Sequence, residues 1–348
     1  MAINRREFSR GTAALAFAAP AILRPALAQA AKPVWFLDDA LVAAAQKEGN
    51  LVVYTTTNEG EALPMWKLFT DATGIKVSVI RASDSAILGR IMVEARAKQK
   101  SWDVVQTANV QKFPPQLLEA WEPPEARHIE KDAHAPDKRW YGVYANYNTP
   151  AYNTKSVSAA DLPKSYEEMA KMTAWRGRCV IDDTDTVWLA AMFDHYGEAR
   201  ARAFLTEMAK NLQPVVQDGH LAIARSVGAG EYAVVLNNYL NLTLNVKMAG
   251  GATDFWVLDP VALFYGQVGI AANAANPNAA KLGMNFQLSQ QAQAHLAKFG
   301  RLPTRPDVET NPKGVLDSLK GTKVIAKLLT AEEEKKWAGV FKEIFRGR

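Results

Sequence analysis

Short hydroxyl and amide side chains gather at three points in the first third of this 348-residue chain. They are Thr55-Thr56-Thr57-Asn58, Ser83-Asp84-Ser85, and Thr107 with Asn109. Each group follows a short apolar, β-favouring run and precedes a helical pattern or turn whose first backbone N–H groups lack partners. Such a set can donate several hydrogen bonds to one small anion, because hydroxyls and free N–H groups at a helix start both favour negative charge. Plain helix capping explains any one of these loops taken alone. Three in register favour a ligand rim. The chain has neither a Gly-rich phosphate loop nor a Gly-Lys-Ser/Thr run, so a nucleotide-phosphate cradle is not expected.

Further candidates lie downstream. The run from Gly230 to Leu236 reads as a strand that ends at Asn237-Asn238-Tyr239, which places Asn238 and Tyr239 at its ligand-facing end. Asp182-Asp183-Thr184-Asp185 has two readings. It could hold a divalent cation or a ligand amine, or it could be the loop and N-cap of the helix containing Trp188 to Phe193. The cap is the stronger reading, and Asp185 is kept as a cleft candidate beside it. Arg81 and Arg90 could supply counter-charge, although a solvated arginine explains each as well. Tyr144, Trp188 and Tyr265 could form apolar walls, and core packing is the competing reading for each.

Catalysis lacks its parts. The five histidines (His128, His134, His195, His220 and His295) form no His-Glu-x-x-His pair, and there is no Gly-x-Ser-x-Gly elbow. An exported hydrolase is therefore the weaker class. Cys179 is the one cysteine, which excludes an intrachain disulfide and any multi-cysteine metal site. No cofactor is expected.

The elements that must position these residues alternate. Leu51 to Tyr54, Ile75 to Ile80 and Trp102 to Gln106 read as strands, and helical patterns fill Glu59 to Thr70 and Ile87 to Ala97. That order implies right-handed crossovers and a mainly parallel sheet, with ligands outside the carboxyl ends of its strands.

The N-terminus carries Arg5 and Arg6, a weakly apolar stretch from Gly11 to Leu23, and Pro25-Ala26-Leu27-Ala28. This is the pattern of a secretory leader of the twin-arginine type, with cleavage expected after Ala28 and a periplasmic product. The apolar stretch is too short for a membrane span. Arg5, Arg6, Arg10 and Arg24 against Glu7 account for three of the five net positive charges, leaving +2 on the remainder. That balance shows no basic stripe for nucleic acid.

Several segments together resemble extracellular solute-binding proteins of ABC transporters. Tyr152-Asn153-Thr154-Lys155 is followed by Leu162-Pro163-Lys164-Ser165-Tyr166, then Trp175-Arg176-Gly177-Arg178 and a strand ending in Asp182. Later come Asn237-Asn238-Tyr239, Asp259-Pro260, Asn278-Ala279-Ala280-Lys281, Ser289-Gln290-Gln291-Ala292-Gln293 and Gly300-Arg301-Leu302-Pro303. The order is similar to the ferric-binding and phosphonate-binding branch, from Leu51 to Val308. The resemblance implies an α/β, two-lobed periplasmic-binding-protein (Venus flytrap) fold. Each lobe would be a mainly parallel sheet flanked by helices, joined by two hinge crossings near Val143–Tyr147 and Asp259–Ala262. Lobe 1 is expected over 33–143 with 262–305, and lobe 2 over 144–261 with 306–348.

The resemblance also implies a small-molecule ligand, a membrane permease as partner, and a monomer that catalyses nothing. Ferric-binding members use two adjacent tyrosines, usually with a histidine or carboxylate from the first lobe. Here Tyr239 matches the first tyrosine, Leu240 stands at the second, and Thr55 to Asn58 contain no histidine. No metal is therefore expected unless Tyr239 serves with a synergistic anion. The preferred ligand is a small organic carboxylate, phosphonate or phosphate ester. Its candidate contacts are Thr55, Thr56, Thr57, Ser83, Asp84, Ser85, Thr107, Asp185, Asn238, Tyr239 and Tyr265. The tail from Thr330 reads as a capped amphipathic helix without chemistry of its own.

Overall fold

The computed structural model describes Pro33, Trp35, Phe36 and residues 39–347. The leader expected over 1–28 lies outside the described residues. Helix α1 (Asp39–Glu48) leads into β1 (Asn50–Thr55), α2 (Glu59–Thr73), β2 (Lys76–Arg81), α3 (Asp84–Arg96) and β3 (Val104–Thr107). The expected strand–helix alternation is present, within a few residues at each boundary. Gly74 closes α2 with φ +76 and returns its N–H to Thr70, so a residue without Cβ stands where the chain turns left-handed.

A long strand, β4 (Tyr141–Asn153), then carries the chain into a second group of elements. These are α4 (Tyr166–Lys171), β5 (Cys179–Asp182), α5 (Thr186–Tyr196), α6 (Glu198–Leu212), β6 (Val215–Gln217), α7 (His220–Ala229), β7 (Val234–Tyr239), α8 (Leu240–Met248) and β8 (Thr253–Phe255). Strand β9 (Val261–Ile270) returns the chain to the first group, where α9 (Pro277–Leu288), α10 (Gln290–Ala297) and β10 (Leu302–Pro303) lie. Strand β11 (Val324–Ala326) and α11 (Ala331–Phe345) end the fold.

The strands follow the order β2-β1-β3-β9-β4-β7-β5-β6. Both outer groups are parallel: β1 pairs with β2 and β3, and β5 pairs with β6 and β7. At the centre β4 and β9 run antiparallel to each other, with Asn146 opposite Phe264 and Asn148 opposite Ala262. These two strands are the crossings between lobes.

Each lobe has its own apolar core. In the first, Trp35, Trp66, Phe69 and Phe286 pack together, and a second cluster gathers Tyr54, Ile87, Ile91 and Trp140. In the second, Tyr166, Trp188, Phe193, Phe204, Trp337 and Phe341 form the core. Trp337 and Phe341 project from α11, so the C-terminal helix packs against this second core. Burying several large aromatics per lobe supplies the main driving force for each. The competing reading of Trp188 is the correct one: it is buried in that core and donates Nε1 to the Tyr166 hydroxyl at 3.2 Å.

Candidate functional site

A cavity of about 440 Å³ opens between the lobes. On the first lobe it meets the start of α3. Ser83 is the N-cap and accepts from Ala86 N at 3.4 Å, while its hydroxyl stands 3.3 Å from that of Ser85. Both hydroxyls are near the surface of the cavity and lightly held. The Asp84 carboxylate lines the cavity and accepts from the Thr107 hydroxyl and from Ala108 N at 3.1 Å. Ser83, Asp84 and Ser85 thus all line the cavity.

The other first-lobe candidates lie behind this wall. Thr55 and Thr57 are fully buried and donate their hydroxyls to Gln106 Oε1, each at 2.6 Å. Thr56 is partly buried and is not among the cavity-lining residues. Thr107 is buried and turned to Asp84, so it shapes the rim without facing the cavity. The hydroxyls of β1 are taken up by an amide from β3, a partner that spacing along the chain does not reveal.

On the second lobe, Asp185 caps α5 by accepting from Trp188 N at 3.4 Å, and it also lines the cavity. Both readings of that residue therefore hold. Asn148, on the crossing strand β4, donates its Nδ2 to Asp185. Burial pushes the Asp185 carboxyl up to about 6, with nearby His220 acting in the opposite sense. Asp182 is structural: it accepts from Thr184 N at 2.8 Å, Thr184 Oγ1 at 2.6 Å and Gly219 N at 2.9 Å.

Tyr239 is the N-cap of α8 and offers that helix no side-chain cap. Its ring lines the cavity between His220, stacked at 3.6 Å and 29°, and Phe264, edge-on at 5.1 Å and 67°. Burial, then Asp185, Asp182 and Asp84, raise its phenol well above the ordinary range. The group therefore stays protonated and presents an O–H donor. Asn238 does not reach the cavity. It is buried, donates to the Thr243 hydroxyl at 3.0 Å, and its Oδ1 meets His220 Nδ1 at 3.1 Å.

Tyr265 is also off the cavity. Side chains alternate along a strand, and Phe264 takes the cavity face, so Tyr265 points the other way, into the first-lobe core. Tyr144 stands on the same face of β4 as Asn146, with Arg301 4.6 Å from its ring centre. Arg301 pairs in turn with buried Glu61 at 2.8 Å.

The proposed counter-charges are replaced. Arg81 is exposed, and Arg90 pairs with Glu94 at 2.7 Å while lying over the Tyr54 ring. Neither lines the cavity. Lys112 and Lys327 do. Lys112, in the turn after β3, reaches across to Glu334 on α11 at 2.5 Å, and Lys327 pairs with Asp194. The tail thus contributes to the cleft after all, through Glu334. Among the described residues, no group of three or more His, Cys, Asp or Glu side chains is placed to hold a metal ion. No helix of the described residues is long and apolar enough to cross a membrane.

Comparisons with known proteins bear on this arrangement. A family model for bacterial extracellular solute-binding proteins matches residues 65–319. The chain is 27% identical over 198 residues to the "Fe(3+)-binding periplasmic protein" of Serratia marcescens, spanning 54% of this chain and 56% of that protein. In structure it is similar to iron-bound HitA from Pseudomonas aeruginosa, with a TM-score of 0.71 at 20% identity over 85% of this chain and 99% of the other. It is equally similar to AfuA from Actinobacillus pleuropneumoniae with fructose-6-phosphate bound, with a TM-score of 0.71 at 20% identity over 86% and 99%. These likenesses share a two-lobed periplasmic-binding-protein fold. A cleft between two cores joined by crossing strands and a family match over most of the length lead to one assignment: the chain belongs to the bacterial extracellular solute-binding protein family, whose members bind solutes and are not enzymes.

Proposed function

We propose that this protein is the periplasmic binding component of an ABC uptake transporter, exported by its twin-arginine-type leader. It works as a monomer that captures a small anionic solute (an organic carboxylate, phosphonate or phosphate ester) and delivers it to a membrane permease. One observation carries the anion reading. Donors converge on the cavity from both lobes: the Ser83 and Ser85 hydroxyls on one side, and the Tyr239 O–H at the uncapped start of α8 on the other. Donors fixed at helix starts suit an anionic group in a cleft that excludes water. Lys112 and Lys327 at the mouth add positive charge.

The lobes are taken as 33–143 with 262–305 and 144–261 with 306–348, and capture proceeds by rotation about β4 and β9. Thermal-shift titration with a panel of small carboxylates, phosphonates and sugar phosphates tests this reading. A ligand at a hundred times its dissociation constant should add ~2.7 kcal/mol of stability. Stabilisation by no anion in the panel would refute it.

A second reading, ferric iron held with a synergistic anion, is favoured by one observation. Tyr239 stands within the cleft near Asp84 and Asp185, and relatives such as the Serratia marcescens protein are named for Fe(3+). A single tyrosine followed by buried Leu240 offers few ligands for that ion. A visible phenolate-to-iron band that disappears in Tyr239→Phe would establish it.

A further inference from the structure

Hydrogen-bonding groups make up only part of the cavity lining. Leu88, Val187, Tyr239 and Phe264 also line it, and each is only partly buried. They come from four elements. Leu88 lies one turn after Asp84 and Ser85 on α3, so it shares their face of the helix. Val187 stands in the first turn of α5, close to its cap Asp185. Tyr239 ends β7, and Phe264, on the crossing strand β9, meets the Tyr239 ring edge-on. Most of the charged lining is already engaged. Asp84 accepts from Thr107 and Ala108 N, and Asp185 from Asn148 and Trp188 N. Lys112 pairs with Glu334, and Lys327 with Asp194.

The cavity measures about 440 Å³. That falls within the roughly 300–1,000 Å³ of pockets that enclose a whole organic molecule. A bare inorganic anion at the Ser83, Ser85 and Tyr239 donors would leave the aliphatic and aromatic surface uncovered. Covering such surface with an apolar partner is worth about fourfold in affinity for each methylene buried.

We infer that the captured anion carries an apolar group of about phenyl size, which packs against Leu88, Val187, Tyr239 and Phe264 while its charged end takes the donors. The charged end rests on the proposed function; the apolar wall does not. An aryl group suits the site because Tyr239 and Phe264 already meet at 67°, and a third ring extends that edge-to-face packing. A polyol would instead set its hydroxyls against side chains that offer Leu88, Val187 and Phe264 no means of bonding them.

Calorimetric titration with matched anions tests the wall: phenylphosphonate against methylphosphonate, phenylacetate against acetate, and phenyl phosphate against glycerol 3-phosphate. Benzyl alcohol serves as a neutral apolar probe. In every pair that binds, the phenyl member should bind about tenfold tighter or more. In Phe264→Ala, or in Leu88→Asn if the first variant does not fold, that advantage should shrink to within about threefold. Equal affinity within the pairs, tighter binding of glycerol 3-phosphate than of phenyl phosphate, or an advantage that persists in the variant would each overturn the inference. If no anion of the panel binds, the anion reading fails on its own. Binding of benzyl alcohol that is lost in the variant would then still support the apolar wall. Absent binding, or binding that the variant retains, would overturn it.

Discussion

Lys112 and Glu334 lie 222 residues apart in the sequence and form an ion pair across the mouth of the cleft. Lys112 belongs to the first lobe, and Glu334 to the C-terminal helix that packs on the second. The pair therefore bridges the two groups of elements whose rotation the proposed capture invokes. Its lysine is nearly buried while its glutamate is 42% exposed, so solvent screens part of the interaction. A contribution of ~0.5–1 kcal/mol to the closed form follows.

Glu334→Gln should accordingly shift the ligand-free protein toward open forms and weaken ligand affinity about threefold. Small-angle scattering of the two proteins would show a larger radius of gyration for the variant, and the difference should vanish in 0.5 M salt. An unchanged radius and affinity would show that the pair does not hold the lobes.

Asp185 gives a pH signature. Its carboxyl sits at about 6 when folded, above the ordinary value of 3.8, chiefly because burial disfavours the charge. The folded state therefore holds this proton more tightly than the unfolded chain. The stability associated with the protonated form is fully present below pH ~4 and is lost as pH rises through 6, a difference of about 2–3 kcal/mol. Asp185→Asn keeps a capping side chain without the charge. Thermal unfolding of the variant should match wild type near pH 4 and exceed it at pH 7.5. Equal midpoints at both pH values would contradict the burial argument.

Gly266 makes room for Tyr144. A Cβ at position 266 would come within 2.7 Å of three Tyr144 ring carbons, and Arg301 lies 4.6 Å from that ring's centre. Gly266→Ala should destabilise the protein by about 1–3 kcal/mol through overpacking. Chemical denaturation would measure this, and a variant as stable as wild type would show that the ring moves freely.

How far the sequence foretold the site depended on the range of the interactions concerned. Ser83, Asp84 and Ser85 were legible because an N-cap after a strand is a local pattern. Asp185 was legible for the same reason. Thr55 and Thr57 have the same local chemistry, but Gln106 from a neighbouring strand takes both hydroxyls. The sequence points to Tyr265 whereas Phe264 lines the cavity, since the register of β9 on β4 decides which of two adjacent aromatics faces inward. A count of alternation back from Gly266, whose missing side chain accommodates Tyr144, could have found it. Lys112, Lys327 and Glu334 had no motif at all, because their roles arise only when α11 docks on the second lobe.

Tyr239 is the residue on which the anion and iron readings part most sharply. Calorimetric titration of wild type and Tyr239→Phe, with the best-binding anion of the panel and with or without Fe³⁺, tests the central claim most directly. The account predicts one site per chain, the same affinity with and without iron, and a tenfold to hundredfold loss in the variant, which corresponds to about 1.5–3 kcal/mol for a hydrogen bond to a charged group. Binding that requires Fe³⁺, with a visible phenolate band absent from Tyr239→Phe, would contradict it.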